Sequence, residues 1–276
     1  MPIPLEKVQA AIAGRYDVER LLTRGGMSVV FKGRAKSDGR DVAIKVFRPE
    51  FSITLLRDRF HQEVEILRDL AHPNILPLIE SGEGDHLVFY VMPFAHGGSL
   101  FDRVQRERRL SLDVTLAITR AVAAALDYAH AHQVIHRDVK PENVVFDEGN
   151  TMLCDFGVAR ALVRAGGERI STSGLIVGTP HYMSPEQAAG RMDIDHRSDI
   201  YSLACLVYEM LIGEPPFSGR NQQAIRSKHI GERPPSLRVV RPELPQQVED
   251  AVMRGLAKVP EERWGSAVEL VEGLGG

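Results

Sequence analysis

The strongest constraint on this chain is a change of hydrophobic period near residue 95. Before it, Val42, Ile44 and Val46 alternate with Ala43, Lys45 and Phe47, the period of two expected where successive side chains leave opposite faces of a strand. Leu87 to Met92 is a continuous apolar run, short enough for a buried strand. One helical pattern interrupts the strands. Leu56, Phe60, Val64, Leu67 and Leu70 recur at helical spacing, so 52–70 contains a helix that His72-Pro73-Asn74 ends. After a hinge-like 93–98 the period becomes helical. Leu112 to Ala131 is rich in Ala and Leu, with Ser111 as its N-cap. Asp199 to Ile212 is a mostly apolar helix ended by Gly213 and Pro215-Pro216, and Val248 to Leu256 and Ser266 to Leu270 are shorter helical patterns. The expected fold class is α+β: an N-terminal extension at 1–15, a small β-rich lobe with one main helix at 16–95, and a larger, mainly α-helical lobe at 96–276.

Composition removes several function classes. The 276 residues carry 34 Lys+Arg against 37 Asp+Glu, a net charge of −3, which argues against a nucleic-acid binder with its basic face. A hydrophobic share of 43% argues against disorder. Cys154 and Cys205 form neither a disulfide framework nor a zinc pattern, which suits a reducing, cytoplasmic setting. Met1 to Gly14 lacks the pattern of a signal peptide, and the longest apolar stretch, Ile200 to Gly213, is too short to cross a bilayer. A soluble protein without a membrane span is expected.

The polar residues point to phosphate chemistry. Thr23-Arg24-Gly25-Gly26-Met27-Ser28 is a small-residue turn between two strand patterns, where backbone N–H groups can approach a polyphosphate. Taken alone, a plain Gly-Gly hairpin is the commoner explanation of such a turn. Lys45 shares a strand face with Ala43, whose small side chain leaves room for a flat group. Glu63 lies on the apolar side of its helix, where a carboxylate needs a cation, and Lys45 is the candidate. An ordinary surface glutamate at the edge of the stripe is the alternative. Farther on, a loop bears Ile135-His136-Arg137-Asp138-Val139-Lys140-Pro141-Glu142-Asn143, and Asp155-Phe156-Gly157 follows the next strand pattern. Asp138, Lys140, Asn143 and Asp155 supply a base, a cation and two hard oxygen ligands, the set that in-line phosphoryl transfer needs.

These motifs resemble a eukaryotic-type (Hanks-type) serine/threonine protein kinase catalytic domain of the bacterial branch. Val42-Ala43-Ile44-Lys45, Glu63, His136-Arg137-Asp138, Asp155-Phe156-Gly157 and Ser184-Pro185-Glu186 stand in the family's order, and the match runs from about Tyr16 to Val271. The resemblance implies transfer of the ATP γ-phosphate to Ser or Thr hydroxyls of protein substrates, with Mg²⁺ or Mn²⁺. It implies that Lys45, fixed by Glu63, holds the α- and β-phosphates. Asp138 accepts the substrate proton, Lys140 steadies the γ-phosphate, and Asn143 and Asp155 bind the metal. It puts the nucleotide among Thr23, Arg24, Gly25, Gly26, Ser28, Val30, Ala43 and Val145, with the adenine edge along Met92, Pro93, Phe94 and Ala95. Structural roles follow for other residues: a Glu186–Arg263 ion pair, Asp199 bracing the catalytic loop, and a stack of Leu67, Leu78, Phe156 and His136.

Regulation follows from charge. Ser171, Thr172 and Ser173 lie in a Gly- and Arg-rich stretch, and a phosphate there adds about −1.5 to −2 charge for Arg137 and Arg160 to pair with. Activating autophosphorylation at one or more of the three is expected. Thr179 is expected to position substrate and Asp138 instead. Two departures bear on nucleotide binding. Of the family's three loop glycines only Gly25 matches, with Thr23 and Ser28 at the others, and Pro93 brings no N–H to the hinge. The alternative reading is therefore a pseudokinase acting as a nucleotide-binding or interaction module. A small-molecule phosphotransferase is a third, disfavoured by the activation segment ending at Glu186. Some family members pair back to back, which leaves an N-lobe homodimer open. His130, His132 and His136 resemble a metal trio but are read as structural, Arg103, Arg106, Arg108 and Arg109 as a solvated helix face, and Cys154 as packing.

Overall fold

The computed structural model describes residues 3, 5–26, 28–47, 64, 67–84, 87–156 and 180–276. Backbone contacts divide these into two units, the first holding the described residues up to 71 and 76–95, the second 72–75, 96–156 and 180–276.

The first unit is a five-stranded antiparallel sheet behind a helix. Helix α1 (Leu5–Ile12) leads into β1 (Tyr16–Arg24), β2 (Ser28–Ala35), β3 (Asp41–Phe47), β4 (Glu80–Gly84) and β5 (Leu87–Pro93). The strand order is β1-β2-β3-β5-β4. The alternation along β3 sorts its side chains onto two faces. Val42, Ile44 and Val46 join Phe31, Leu87, Phe89 and Val91 in a core that Ile3, Val8 and Ile12 cover. Ala43 and Phe47 join Val88, Tyr90 and Met92 in a second cluster, which includes Val64 and packs against Leu67 and Leu78. Helix α1, in the stretch expected as an N-terminal extension, packs onto this core. Gln9 fastens it: its side-chain amide donates to the Tyr16 carbonyl at 3.0 Å and accepts from the Val18 N–H at 2.6 Å. Of the helix expected over 52–70, Val64, Leu67 and Arg68 are described and helical, while Glu63 lies outside the described residues.

The second unit is mainly helical. It contains α2 (Leu100–Glu107), α3 (Leu112–Ala131), the hairpin β6 (Val144–Asp147) and β7 (Asn150–Leu153), then α4 (Pro185–Ala188) and α5 (Arg197–Ile212). Helices α6 (Gln222–Gly231), α7 (Leu237–Val240), α8 (Gln246–Gly255) and α9 (Ala267–Gly273) follow. Ser111 caps α3 as expected, accepting from the Val114 N–H. Helix α5 is the centre of the unit, with every residue from Ser198 to Ile212 buried, as a helix apolar on all sides must be. Gly213 ends it at φ +91°, a conformation that favours glycine. Its last carbonyls are satisfied by arginines: Arg109 Nε donates to Ile212 and Arg241 Nη1 to Leu211, at 3.1 and 3.2 Å. Arg109 stays exposed, as expected, while its Nε also caps α5. Among the described residues no helix is long and apolar enough to cross a membrane.

Candidate active site

Each unit carries its own share of the expected residues. In the first, Lys45 and Ala43 sit on β3, opposite Val30 and Tyr90 and opposite Met92 respectively. Lys45 Nζ lies 5.7 Å from the centroid of the Tyr90 ring. The turn between β1 and β2 begins after the pairs Thr23–Val30 and Arg24–Val29, and the Gly25 N–H closes it on the Ser28 carbonyl at 2.8 Å. Thr23, Arg24, Gly25 and Gly26 are exposed, whereas Ser28 is buried at the start of β2. Pro93 ends β5 opposite Val42, and the next N–H, of Phe94, donates to the Asp41 carbonyl at 3.3 Å. Ala95 follows outside regular structure.

In the second unit the loop between α3 and β6 is held from behind. Asp199, fully buried in the first turn of α5, accepts the N–H of His136 through Oδ2 at 2.8 Å and that of Arg137 through Oδ1 at 2.7 Å. Between these two bonds the backbone of Arg137 takes φ +64°, a left-handed conformation that a non-glycine residue keeps only where its surroundings impose it. His136 is buried as well. Its Nδ1 accepts the Asp138 N–H at 3.2 Å, so the ring proton is on Nε2, which donates to the Cys154 carbonyl at 2.9 Å. Burial holds its pKa below the ordinary histidine value, keeping the ring neutral.

On this support Asp138 receives two donors. Lys140 Nζ lies 2.6 Å from its Oδ2, and Asn143 Nδ2 lies 3.2 Å from the same oxygen and 2.8 Å from the Asp138 carbonyl. Burial acts to lower the Lys140 pKa, but the charge of Asp138 and the hydrogen bond to it prevail, with smaller contributions from Glu142 and Asp155, and raise it. The ammonium is therefore permanent. Because the Asn143 amide nitrogen is committed to Asp138, its carbonyl oxygen is the group left to a ligand. Asn143 and Asp155 both offer oxygen donors, the hard kind that would suit Mg²⁺ rather than a thiophilic metal. Asp155 itself stands at φ +64°. Phe156 packs on the His136 ring at a centroid distance of 4.5 Å. Val145 lies half-buried on β6. Of the four residues expected as a stack, Leu67 and Leu78 pack in the first unit and His136 packs on Phe156 in the second.

The model of the protein kinase domain family matches residues 16–272. The chain belongs to the protein kinase family. Among its relatives, the serine/threonine-protein kinase PknB of Mycobacterium tuberculosis is 36% identical over 271 residues, covering 94% of this chain and 42% of that one. The serine/threonine-protein kinase PrkC of Bacillus subtilis is 34% identical over 262 residues, covering 94% and 40%. The crystal structure of a mutant of the Mycobacterium tuberculosis PknI kinase domain superposes with a TM-score of 0.75 at 31% identity, covering 94% of both chains. The fold is the α+β fold of these kinases. The chain spans about two fifths of the length of the curated relatives it matches, between 38% and 42%. Helix α1 lies ahead of the matched range.

Within this kinase fold several supporting residues were not assigned from sequence. His130 Nε2 lies 2.8 Å from Asp199 Oδ2, and its Nδ1 lies 3.8 Å from Asp127 Oδ1. Asp127 in turn accepts the N–H groups of Ala267 and Val268 at 2.8 and 2.9 Å, at the start of α9. Burial would lower the His130 pKa, but the hydrogen bonds and charges of the two carboxylates outweigh it and raise it to about 9. The same imidazolium holds the Asp199 carboxyl below its ordinary range against the opposing effect of burial. The rings of the three histidines grouped by sequence therefore have separate partners: His130 bonds Asp199, His136 the Cys154 carbonyl, and His132 the Tyr128 carbonyl at 2.8 Å. Their one legible signal was the three-residue spacing of Asp127 and His130 on a helix. Gln187 Nε2 also donates to the Arg137 carbonyl at 3.0 Å. The Tyr182 hydroxyl donates to Glu209, whose pKa burial raises to about 7. Arg263 and Glu186 form the expected ion pair, two parallel bonds of 2.8 Å each, with both side chains buried. Ser171, Thr172, Ser173, Thr179 and Arg160 lie outside the described residues.

Proposed function

We propose that the chain is a serine/threonine protein kinase that transfers the γ-phosphate of MgATP to protein hydroxyls. The observation that carries the reading is the Asp138 carboxylate, with Lys140 at 2.6 Å and Asn143 at 3.2 Å, on a loop whose backbone Asp199 holds. A carboxylate held beside a permanent cation accepts the hydroxyl proton while the cation offsets charge on the transferring phosphoryl group. Lys45, paired with Glu63, holds the α- and β-phosphates. The nucleotide lies along Thr23 to Ser28, Val30, Ala43, Val145 and the 92–95 backbone, where the Pro93 carbonyl and the Ala95 N–H serve the adenine edge. Asn143 and Asp155 hold Mg²⁺, which when bound screens the phosphate charges. Residues 16–95 form the nucleotide-binding lobe and 96–276 the substrate-binding lobe. Autophosphorylation at Ser171, Thr172 or Ser173, a cytoplasmic site of action and pairing of two copies through the small lobe complete the proposal.

The test is phosphate transfer from γ-labelled ATP with Mg²⁺ to myelin basic protein, wild type beside Asp138→Asn. General-base catalysis is worth about 10²–10⁴-fold, so the variant is expected to lose activity by that factor. Label on Ser or Thr in the wild type alone supports the reading. Nucleotide binding without label in either protein overturns it in favour of a pseudokinase.

A further inference from the structure

The peptide unit that joins Arg137 to Asp138 leads straight into the candidate base, and side chains hold both of its polar groups. Its N–H donates to His136 Nδ1 at 3.2 Å, and its carbonyl accepts from Gln187 Nε2 at 3.0 Å. The preceding N–H, that of Arg137, is bound by Asp199 at 2.7 Å. Among these partners Arg137 keeps its left-handed φ of +64°, a conformation that a side chain with a Cβ leaves once it is released. The other end of the Gln187 bond is fixed as well. Gln187 belongs to α4, which the Glu186–Arg263 pair and a 2.7 Å bond between the Ser184 and Ser198 hydroxyls fasten to the rest of the unit. Its Oε1 accepts the Ser184 N–H at 3.1 Å, and its own N–H donates to the Ser184 hydroxyl at 3.3 Å, a reciprocal capping box.

We infer that Gln187 is a positioning residue for phosphoryl transfer, its amide nitrogen holding the 137–138 peptide and, through it, the place of the Asp138 carboxylate. The inference rests on the reading of the chain as a kinase with Asp138 as its base. The chemistry of the two side-chain bonds separates this role from helix capping. A capping box is served by glutamate as well as by glutamine, because the Ser184 N–H needs only an oxygen. The Arg137 carbonyl needs a donor, and of those two side chains only glutamine carries one at neutral pH. A single amide orientation satisfies both partners, with the oxygen toward Ser184 and the NH₂ toward Arg137. Without that donor the peptide keeps only the longer bond from its N–H to His136. Relaxation of Arg137 toward ordinary dihedrals then moves the Cα of Asp138, and with it the carboxylate that Lys140 and Asn143 meet. A misplacement of about 1 Å costs roughly 10²-fold in rate. The side-chain bonds of Gln187 run to Ser184 and Arg137, neither of which is proposed to hold the nucleotide, so ATP affinity is spared.

The experiment compares Gln187→Glu with Gln187→Lys in the whole chain. The first variant keeps the acceptor for Ser184 and removes the donor, whereas the second keeps a donor that reaches the Arg137 carbonyl and removes the acceptor. Transfer from γ-labelled ATP to myelin basic protein is read as kcat and KM, and backbone hydrogen exchange over 136–143 is read by mass spectrometry. Gln187→Glu is expected to lower kcat by about ten- to a hundredfold, with the KM for ATP within about twofold of wild type. Exchange over 136–143 is expected to speed up in the same variant. Gln187→Lys is expected to retain more kcat than Gln187→Glu, although it gives up the capping box. The reverse order of the two variants overturns the inference, as does wild-type kcat or wild-type exchange in Gln187→Glu. Exchange reads the hold on the loop without any transfer. Faster exchange in Gln187→Glu, in a chain whose wild type moves no phosphate, therefore supports the hold and overturns the kinase reading instead.

Discussion

Replacing His130 by Gln tests whether a buried charge relay holds the 136–143 loop in place. In the native chain the imidazole sits 2.8 Å from the fully buried Asp199 carboxylate, and its pKa is raised from 6.5 to about 9. A folded-state pKa above the unfolded one means the native state binds the proton more tightly, so the stabilisation is complete below pH 6.5 and fades as pH rises through 9. The shift corresponds to about 3 kcal/mol at full effect, of which about 2 kcal/mol remains at pH 7.5. The depressed pKa of Asp199 reports the same interaction from its other end and is not added. Its own titration lies below 3.8, outside this window. The assay is urea unfolding of wild type and His130→Gln at intervals between about pH 6 and 9.5, read as the difference in unfolding free energy at each pH. Groups common to both proteins cancel in that difference. The gap is expected to narrow by about 3 kcal/mol across the range as the wild-type imidazolium deprotonates. A gap that stays constant, or that widens, refutes a charged His130 in the folded chain and with it the relay to Asp199.

Three further outcomes are expected. Arg263→Ala leaves the Glu186 carboxylate buried without its two 2.8 Å donors and is expected to cost about 3–5 kcal/mol in chemical unfolding, so a loss below about 1 kcal/mol contradicts the buried pair. Gly255→Ala places a Cβ only 2.7 Å from that of Ala204 on α5 and is expected to cost about 1–3 kcal/mol, most of it recovered when Ala204→Gly is added. Strict additivity of the two changes in a double-mutant cycle excludes the close approach. Ile12→Ala removes a side chain only 2% exposed from the core beneath α1 and is expected to cost about 2–5 kcal/mol, whereas an unchanged midpoint means α1 does not pack on the sheet.

Much of the local architecture was legible because it is written in neighbouring residues. The alternation across Val42 to Phe47 yields β3, Ser111 and Gly213 bound their helices, and the spacing within 136–143 brings Asp138, Lys140 and Asn143 together on one short loop. Hydrophobic period, capping and turn chemistry act over a few residues, so they survive in sequence alone. Helix α1 was less legible. Its apolar side chains are few, and what makes it part of the fold is the Gln9 clamp on β1 together with the sheet face that Val8 and Ile12 cover.

The sequence by itself determined the family and the order of a strand-rich part before a helical one. Tertiary structure alone decided what holds the 136–143 loop in place. Asp199 reaches His136 across 63 positions, and Asp127 reaches Ala267 across 140. No periodicity records contacts between residues so far apart in the chain. They exist because α5 is buried on every side, and a buried carboxylate must gather donors from whatever packs against it. The same reason separates His130, an imidazolium between two carboxylates, from His136, a neutral ring against Phe156. Charge state is a property of the packed environment, and side chains of identical type acquire different chemistry only once the chain has folded.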